Sequence, residues 1–341
     1  MNNLYLKTGY LNVPWINEMC DKNGISFIVI VGNRQIGKTY GTLKFMLDSD
    51  KRFILMRRTQ TEVDFLCNMS LNPFGKINPF IVIKKDSEYT ARIDDDEDDE
   101  SVQIGLVTSL KGIAKIRGFS GDIFTDLIFD EFIPENHVTR IKDEGDAFIN
   151  AVITISGNRE LEGRPPLRCW LLANANNINN PILQALGVQI KLNTLINKGQ
   201  EYSILKDRGV MLINARAESI IEKRKQTAIS KVIDQNSKVA KMAFKNEFSY
   251  NDQEHIKSVD LKNYTPKCSV MGQFSLWKSK QNNTYFVDDY RRTSLEFNGN
   301  QRGKREFLRH YPEIKIQYYN NRFYFKNLIL KENFKTFIDV Q

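Results

Sequence analysis

Residues 26–31 read Ser-Phe-Ile-Val-Ile-Val, an uncharged run dominated by β-branched side chains. Such a run fits a strand buried on both faces of a parallel sheet, not one with a wet face. After it, Lys38 to Asp48 has a helical pattern, with Leu43, Phe45, Met46 and Leu47 available to face the sheet. Phe53 to Met56, Thr125 to Phe129 and Cys169 to Ala173 are further short apolar runs of strand type. Strands alternating with helical patterns predict βαβ units and a mostly parallel α/β sheet. Phe80 to Lys84 and Tyr89 to Ile93 predict a hairpin pair. The acidic block Asp94 to Glu100, ahead of Ser101 to Thr108, predicts a solvated hairpin loop.

The texture changes near Arg216. Ala215 to Phe248 holds no Gly or Pro and spaces Ile229, Val232, Ile233, Val239, Met242 and Ala243 as a helix would, so one or two helices are expected to join two halves. From Cys268 strands return. Ser269 to Trp277 and Thr284 to Tyr290 flank a polar turn at Lys280 to Asn283, and Lys315 to Tyr319 and Arg322 to Phe325 flank Asn320–Asn321, predicting two hairpins. The expected organisation is an α/β nucleotide-type domain over 1–207, a helical linker over 208–250 and a smaller α+β domain over 251–341.

A chain of 341 residues, 41% hydrophobic and 26% charged, suits two globular cores. Its apolar runs are too short to cross a bilayer, and Met1 to Tyr10 has no signal-peptide pattern, so no membrane role is expected. Cys20, Cys67, Cys169 and Cys268 are scattered without a CxxC pair. That argues against a zinc site or disulfide framework and fits a reducing cytoplasm. The net charge of +8 is uneven: Arg216 to Gln341 holds 24 Lys/Arg against 14 Asp/Glu, while the rest of the chain is slightly acidic. A basic half fits plain solubility or a polyanion partner, since Lys and Arg release condensed counterions from phosphates; charge alone leaves both open.

Chemistry enters at Gly32-Asn33-Arg34-Gln35-Ile36-Gly37-Lys38-Thr39, a full match to GxxxxGK[ST]. The glycines let backbone N–H groups fold around a phosphate at a helix N-terminus. Lys38 is placed for the β- and γ-phosphates and Thr39 for Mg²⁺. An incidental Gly-rich turn is the competing reading, and the preceding strand and following helix set it aside. Asp126 to Glu131 reads DLIFDE, an apolar strand delivering two carboxylates to its C-terminal end, where open α/β sheets bind ligands. Asp130 would hold Mg²⁺, and Glu131 would polarise the attacking water. The adjacent Glu favours an additional-strand (ASCE-type) ATPase over a kinase or GTPase. Asn174, ending the third strand, is a candidate γ-phosphate sensor or an ordinary turn residue. Arg140, Arg159, Arg164 and Arg168 are candidates for an arginine finger. Arg57 and Arg58 follow the second strand, where they are placed to meet phosphate or adjoining subunits, with a plain surface position as their default.

GNRQIGKTY (Gly32 to Tyr40), FILMRRTQTE, DLIFDEFIP, FINAVITISGNRE and CWLLANA together resemble the DNA-packaging ATPase of phi29-like phages, a compact relative of the large terminase subunit. The resemblance covers most of residues 25 to 180; beyond 215 it rests on length and texture. It implies ATP and Mg²⁺ as cofactors, bound by Gly32 to Tyr40 with Thr39 and Asp130 as metal ligands. It implies a homo-oligomeric ring, a pentamer, acting in the host cytoplasm and transiently on the viral prohead, where it pushes double-stranded DNA through the portal. In some members a packaging RNA lies between motor and prohead. By position the trans-acting finger falls on Arg159. Large terminases add an RNase H-like nuclease whose carboxylates hold two metals. Here Gly272 to Trp277 carries no acid, and only Asp288 and Asp289 follow. Neighbours along a strand point to opposite faces, so a vestigial, basic docking domain is expected. Two alternatives stay open: a terminase with a working nuclease built from Asp288 or Asp289 with Asp260 or Glu296, and a non-motor assembly factor whose nucleotide site only switches. Glu131 speaks against the second.

Overall fold

A computed structural model of the chain describes residues 4–95, 101–113, 115, 121, 123–135, 141, 143–174, 178–217, 222, 232, 255–271, 273–289 and 293–338. The chain divides into two compact units, Met1–Tyr250 and Asn251–Gln341.

The first unit runs α1 (Val13–Asn23), β1 (Phe27–Gly32), α2 (Lys38–Asp48), β2 (Phe53–Arg57), α3 (Gln60–Leu66), β3 (Val82–Lys85), β4 (Thr90–Asp94), β5 (Gln103–Ser109), α4 (Leu110–Ile113) and β6 (Asp126–Asp130). It continues with α5 (Glu144–Ser156), β7 (Arg168–Asn174), α6 (Pro181–Ala185), α7 (Gln189–Asn197), β8 (Tyr202–Leu205) and β9 (Val210–Ala215). The strands form one sheet in the order β3-β4-β5-β2-β6-β7-β1-β9-β8. From β5 to β9 all pairings are parallel, and β3, β4 and β8 add antiparallel edges.

The apolar runs behave as strands covered on both faces. Ile28 and Ile30 share a core with Val13, Ile16 and Cys20 of α1 and with Leu43 and Met46 of α2, a cluster that also holds Ile128. Phe129, one residue on and hence on the opposite face, stacks on Phe148 of α5 at 5.7 Å between ring centroids. Trp170 is fully buried, and its indole N–H donates to Asp126 Oδ1 at 2.9 Å.

Two expectations change here, and a third falls outside the described residues. Residues 210–215 do not open a linker: they are β9, fully buried beside β1. Most of the helical stretch expected over Ala215 to Phe248 lies outside the described residues. Asp94 is not solvated; it ends β4 at 2% exposure with Arg92 Nη2 at 3.2 Å, while residues 96–100 lie outside the described residues.

The second unit has β10 (Tyr264–Val270), β11 (Phe274–Ser279), β12 (Tyr285–Asp288), β13 (Glu296–Phe297), α8 (Gln301–His310), α9 (Ile314–Tyr319), β14 (Phe323–Phe325) and α10 (Leu328–Ile338), with sheet order β13-β10-β11-β12-β14. Its core is aromatic: Phe274 meets Phe334 and Phe337 edge-on at 5.2 and 5.4 Å, and Tyr285 stacks on Phe323 at 4.9 Å. The β11–β12 hairpin forms as expected. Ser269 to Trp277, however, is two strands meeting in a turn after Val270. Lys315 to Tyr319 lies in a helix, because Ile314 and Tyr318, four apart, both reach the core. Cys20, Cys169 and Cys268 are buried and all four cysteines are free; burial pushes the Cys20 and Cys268 thiols up to about 12. Among the described residues no helix is long and apolar enough to cross a membrane.

Candidate functional site

Three neighbouring parallel strands, β6, β7 and β1, end at one edge of the first sheet. Register sets Gly32 beside Asn174, and Asp130 beside Leu172. From Gly32 the chain must leave β1 and enter α2 within a few residues. Gln35 (φ 63°) and Gly37 (φ 81°) take left-handed backbone to do so. At Gly32 a Cβ would stand 2.0 Å from the Ala215 carbonyl oxygen, a separation no side chain tolerates. Gly32→Ala should therefore displace the loop, weakening ATP binding at least about tenfold, the equivalent of ~1.4 kcal/mol; equilibrium titration checks it, and unchanged affinity would contradict the packing.

Lys38 is 8% exposed, and its ammonium donates to the carbonyls of Gly32 (3.2 Å) and Asn33 (2.5 Å) and to Asn174 Oδ1 (3.1 Å). Thr39 Oγ1 donates to Asp130 Oδ1 at 2.9 Å. The sequence-predicted Lys38, Thr39, Asp130, Glu131 and Asn174 thus gather around one cavity of about 340 Å³, with Arg34, Gln35, Gly37 and Tyr40 on its lining. Ile36 does not join them with its side chain, which is fully buried in the core. Asn33 is also turned inward, at 2% exposure, and its side-chain amide bonds to no other protein group.

Arg57 departs from the surface position that was its default. Instead of lying on the surface it is 13% exposed, with Nη1 donating to Glu131 Oε2 at 2.8 Å and Nη2 at 3.2 Å from Asp130 Oδ2. The available signal was its position: β2 lies next to β6, so the residue ending β2 must meet the residue ending β6. Glu131 sits at φ 57°, left-handed backbone that is costly for a side chain of this size and that aims it away from the strand line. Arg34 pairs with Glu135 at the rim. Arg58 is not on the surface either: it is buried against Glu144, with Nε to Oε1 at 2.7 Å.

The finger assignment is corrected. Arg159 is 4% exposed, and its guanidinium donates to the carbonyls of Gly121 (3.2 Å) and Phe124 (2.6 Å). A side chain engaged inside its own subunit is not presented to a neighbour. Arg168 is tied to Asn17 and Asp21 of α1 at 2.6 and 2.8 Å. Arg164 is on the loop after α5, pairing with Glu162 at 2.7 Å and about one-third exposed. Arg140 lies outside the described residues.

The acid pair of the second unit is also corrected. Asp289 lies just past the end of β12, so strand alternation does not apply, and both carboxylates converge on Lys326 Nζ, Asp288 at 2.9 Å. Asp260 instead caps the turn at Leu261–Asn263. Among the described residues no three His, Cys, Asp or Glu side chains gather in a way that could hold a metal.

The family model of the podovirus DNA encapsidation protein (Gp16) matches residues 7–291. Two solved structures are similar. The motor assembly for viral genome packaging of bacteriophage Phi-29 has TM-score 0.62 and 16% identity, covering 98% of this chain and 100% of that one. The Phi-28 gp11 DNA packaging motor has TM-score 0.58 and 14% identity, covering 95% and 97%. No curated protein matches at the sequence level.

Proposed function

Since this chain belongs to the podovirus DNA encapsidation protein family, we propose that it is an additional-strand P-loop ATPase that drives double-stranded DNA into a prohead, working in the host cytoplasm as a homo-oligomeric ring, a pentamer, docked at the portal. The observation that carries the enzymatic part is the gathering of Lys38, Thr39, Asp130, Glu131 and Asn174 at the ends of adjacent parallel strands. The donor set suits the group it would hold. A threonine hydroxyl and a carboxylate 2.9 Å apart are the hard oxygens Mg²⁺ prefers, and an ammonium at the start of α2 suits a polyphosphate.

Bound Mg·ATP would supply the transferable phosphoryl group and the cation that neutralises its developing charge. The chain's own groups do the rest. Lys38, now satisfied by two loop carbonyls and Asn174, turns to the phosphates. That frees Asn174 Oδ1 to accept a hydrogen bond from the attacking water. Arg57 holds Glu131 and Asp130 in the resting arrangement, and Asp130 would give up that pairing when it serves as a ligand of Mg²⁺. Glu131 is then released to orient water as the base. Arginine from a neighbouring subunit completes the charge balance, and Arg164 is placed for it. The basic second unit, an RNase H-like remnant, docks on the prohead or a packaging RNA.

Two measurements separate this from its competitors. Double-stranded DNA should raise the ATPase rate; a rate indifferent to DNA and prohead would favour an assembly switch. With Mg²⁺ or Mn²⁺ the full chain should leave supercoiled plasmid intact, because Lys326 already occupies the space between Asp288 and Asp289. Cleavage that Asp288→Ala abolishes would restore the nuclease reading.

A further inference from the structure

Arg58 and Glu144 form an ion pair, Nε to Oε1 at 2.7 Å, that no step of ATP hydrolysis so far requires. Its place follows from strand alternation, which sends neighbours to opposite faces. Met56 is in register with Phe129, whose ring stacks on α5. Arg58, two residues beyond Met56, therefore turns toward α5, while Arg57 turns to the carboxylates of β6. Both members of the pair are 1% exposed, and Glu144 lies in the first turn of α5. Taking a carboxylate and a guanidinium out of water costs about what their attraction returns, so such a pair is weak evidence of a stabilising role. Glu144 does not even use both oxygens: Oε2 is buried and accepts no hydrogen bond among the described residues.

What the pair holds can be followed contact by contact. Beside Glu144, Gly145 lies so close to α6 that a Cβ there would stand 2.6 Å from the Pro181 carbonyl oxygen. Asn180 caps α6 through its side-chain oxygen, and its amide N–H donates to the Phe132 carbonyl at 3.4 Å. Phe132 N–H donates in turn to the Leu172 carbonyl of β7 at 3.3 Å. Phe132 directly follows Glu131, so the left-handed backbone of Glu131 (φ 57°) is held from behind by both backbone groups of its neighbour. In front, Arg57 grips the Glu131 carboxylate, and Arg57 is covalently joined to Arg58. The path from Arg58 through Glu144, α5, α6, Phe132 and Glu131 back to Arg57 is a closed circuit. Arg58–Glu144 is its ionic link outside the phosphate cavity.

We propose that Arg58 and Glu144 are positioning residues for hydrolysis: their pair fixes the end of β2 against the start of α5, so that Glu131 keeps the backbone from which it orients water. Neither residue lines the phosphate cavity, so both act through Glu131 and not on the nucleotide. The leverage is large, because a displacement of about 1 Å in a reacting group can cost on the order of 10²-fold in rate. The proposal rests on Glu131 being the base, and its test keeps the two apart.

Glu144→Gln keeps the shape and an acceptor for Arg58 but removes the charge; Arg58→Lys keeps the charge but loses the Nε–H donor. In the full chain supplied with prohead and DNA, each should lower kcat at least about tenfold. Mg·ATP affinity by isothermal titration should stay within about twofold of wild type, since the octet is untouched. The deciding readout is a double-mutant cycle. On a Glu131→Gln background, Glu144→Gln should slow the residual single-turnover rate by less than about twofold, because the base it positions is already gone. A merely structural role would slow both backgrounds alike. Wild-type kcat in both variants, weakened ATP binding, or an undiminished loss on the Glu131→Gln background would overturn the proposal. If Glu144→Gln does not fold, Arg58→Lys carries the same cycle, and failure of both to fold would make the pair a structural one and overturn the proposal as well. Wild-type hydrolysis by Glu131→Gln alone would instead overturn the assignment of the base.

Discussion

Glu131→Gln should bind ATP with close to wild-type affinity and hydrolyse it at least about a hundredfold more slowly, the usual loss when a positioned base is removed. The substitution isolates the chemistry. Gln keeps the shape of Glu131 and can still accept the Arg57 hydrogen bond seen at 2.8 Å, yet it cannot take a proton from water. The side chain is 61% exposed and follows β6, so no core contact is at risk. Lys38→Ala should instead abolish turnover at the binding step, since the ammonium now bridges the loop and Asn174. Hydrolysis by Glu131→Gln within about threefold of wild type would move the base elsewhere.

Arg164→Ala should bind ATP normally and lose the rate acceleration that assembly on prohead or DNA provides, about 10³-fold for a trans-acting arginine. Of the described candidates it alone stands on an exposed loop, its backbone N–H held by the Arg159 carbonyl at 2.8 Å. Arg159→Ala should act differently. Two carbonyls ahead of β6 would lose their donor, lowering the melting temperature of the isolated chain before any ring forms. Rings mixed from Arg164→Ala and Glu131→Gln, each dead alone, should regain activity where an intact Glu131 meets an intact Arg164. Mixed rings shown to co-assemble that stay dead would leave the finger to Arg140.

The central strands and the octet were legible because their signals are contiguous: a buried parallel strand must be apolar throughout, and a tight glycine-bearing turn into a helix follows it directly. What escaped was set by distant partners. β9 is only six residues, and its role follows from pairing with β1, which no local pattern encodes. Arg57 acquires its carboxylate partners from the neighbouring strand, and Arg159 is engaged by carbonyls more than 30 residues away. α9 alternates apolar and polar residues as a strand would, yet it packs by its four-residue spacing. Asp288 and Asp289 were read as diverging by strand alternation, which fails because the end of β12 falls between them.

Loading of double-stranded DNA into proheads, scored as DNA protected from added nuclease, reaches the central claim most directly. Proheads supplied with this protein, Mg²⁺ and ATP should protect DNA, while the same mixture with Glu131→Gln should protect none. Protection that proceeds with Glu131→Gln, or wild-type hydrolysis of ATP with no DNA protected, would contradict an ATP-driven packaging motor.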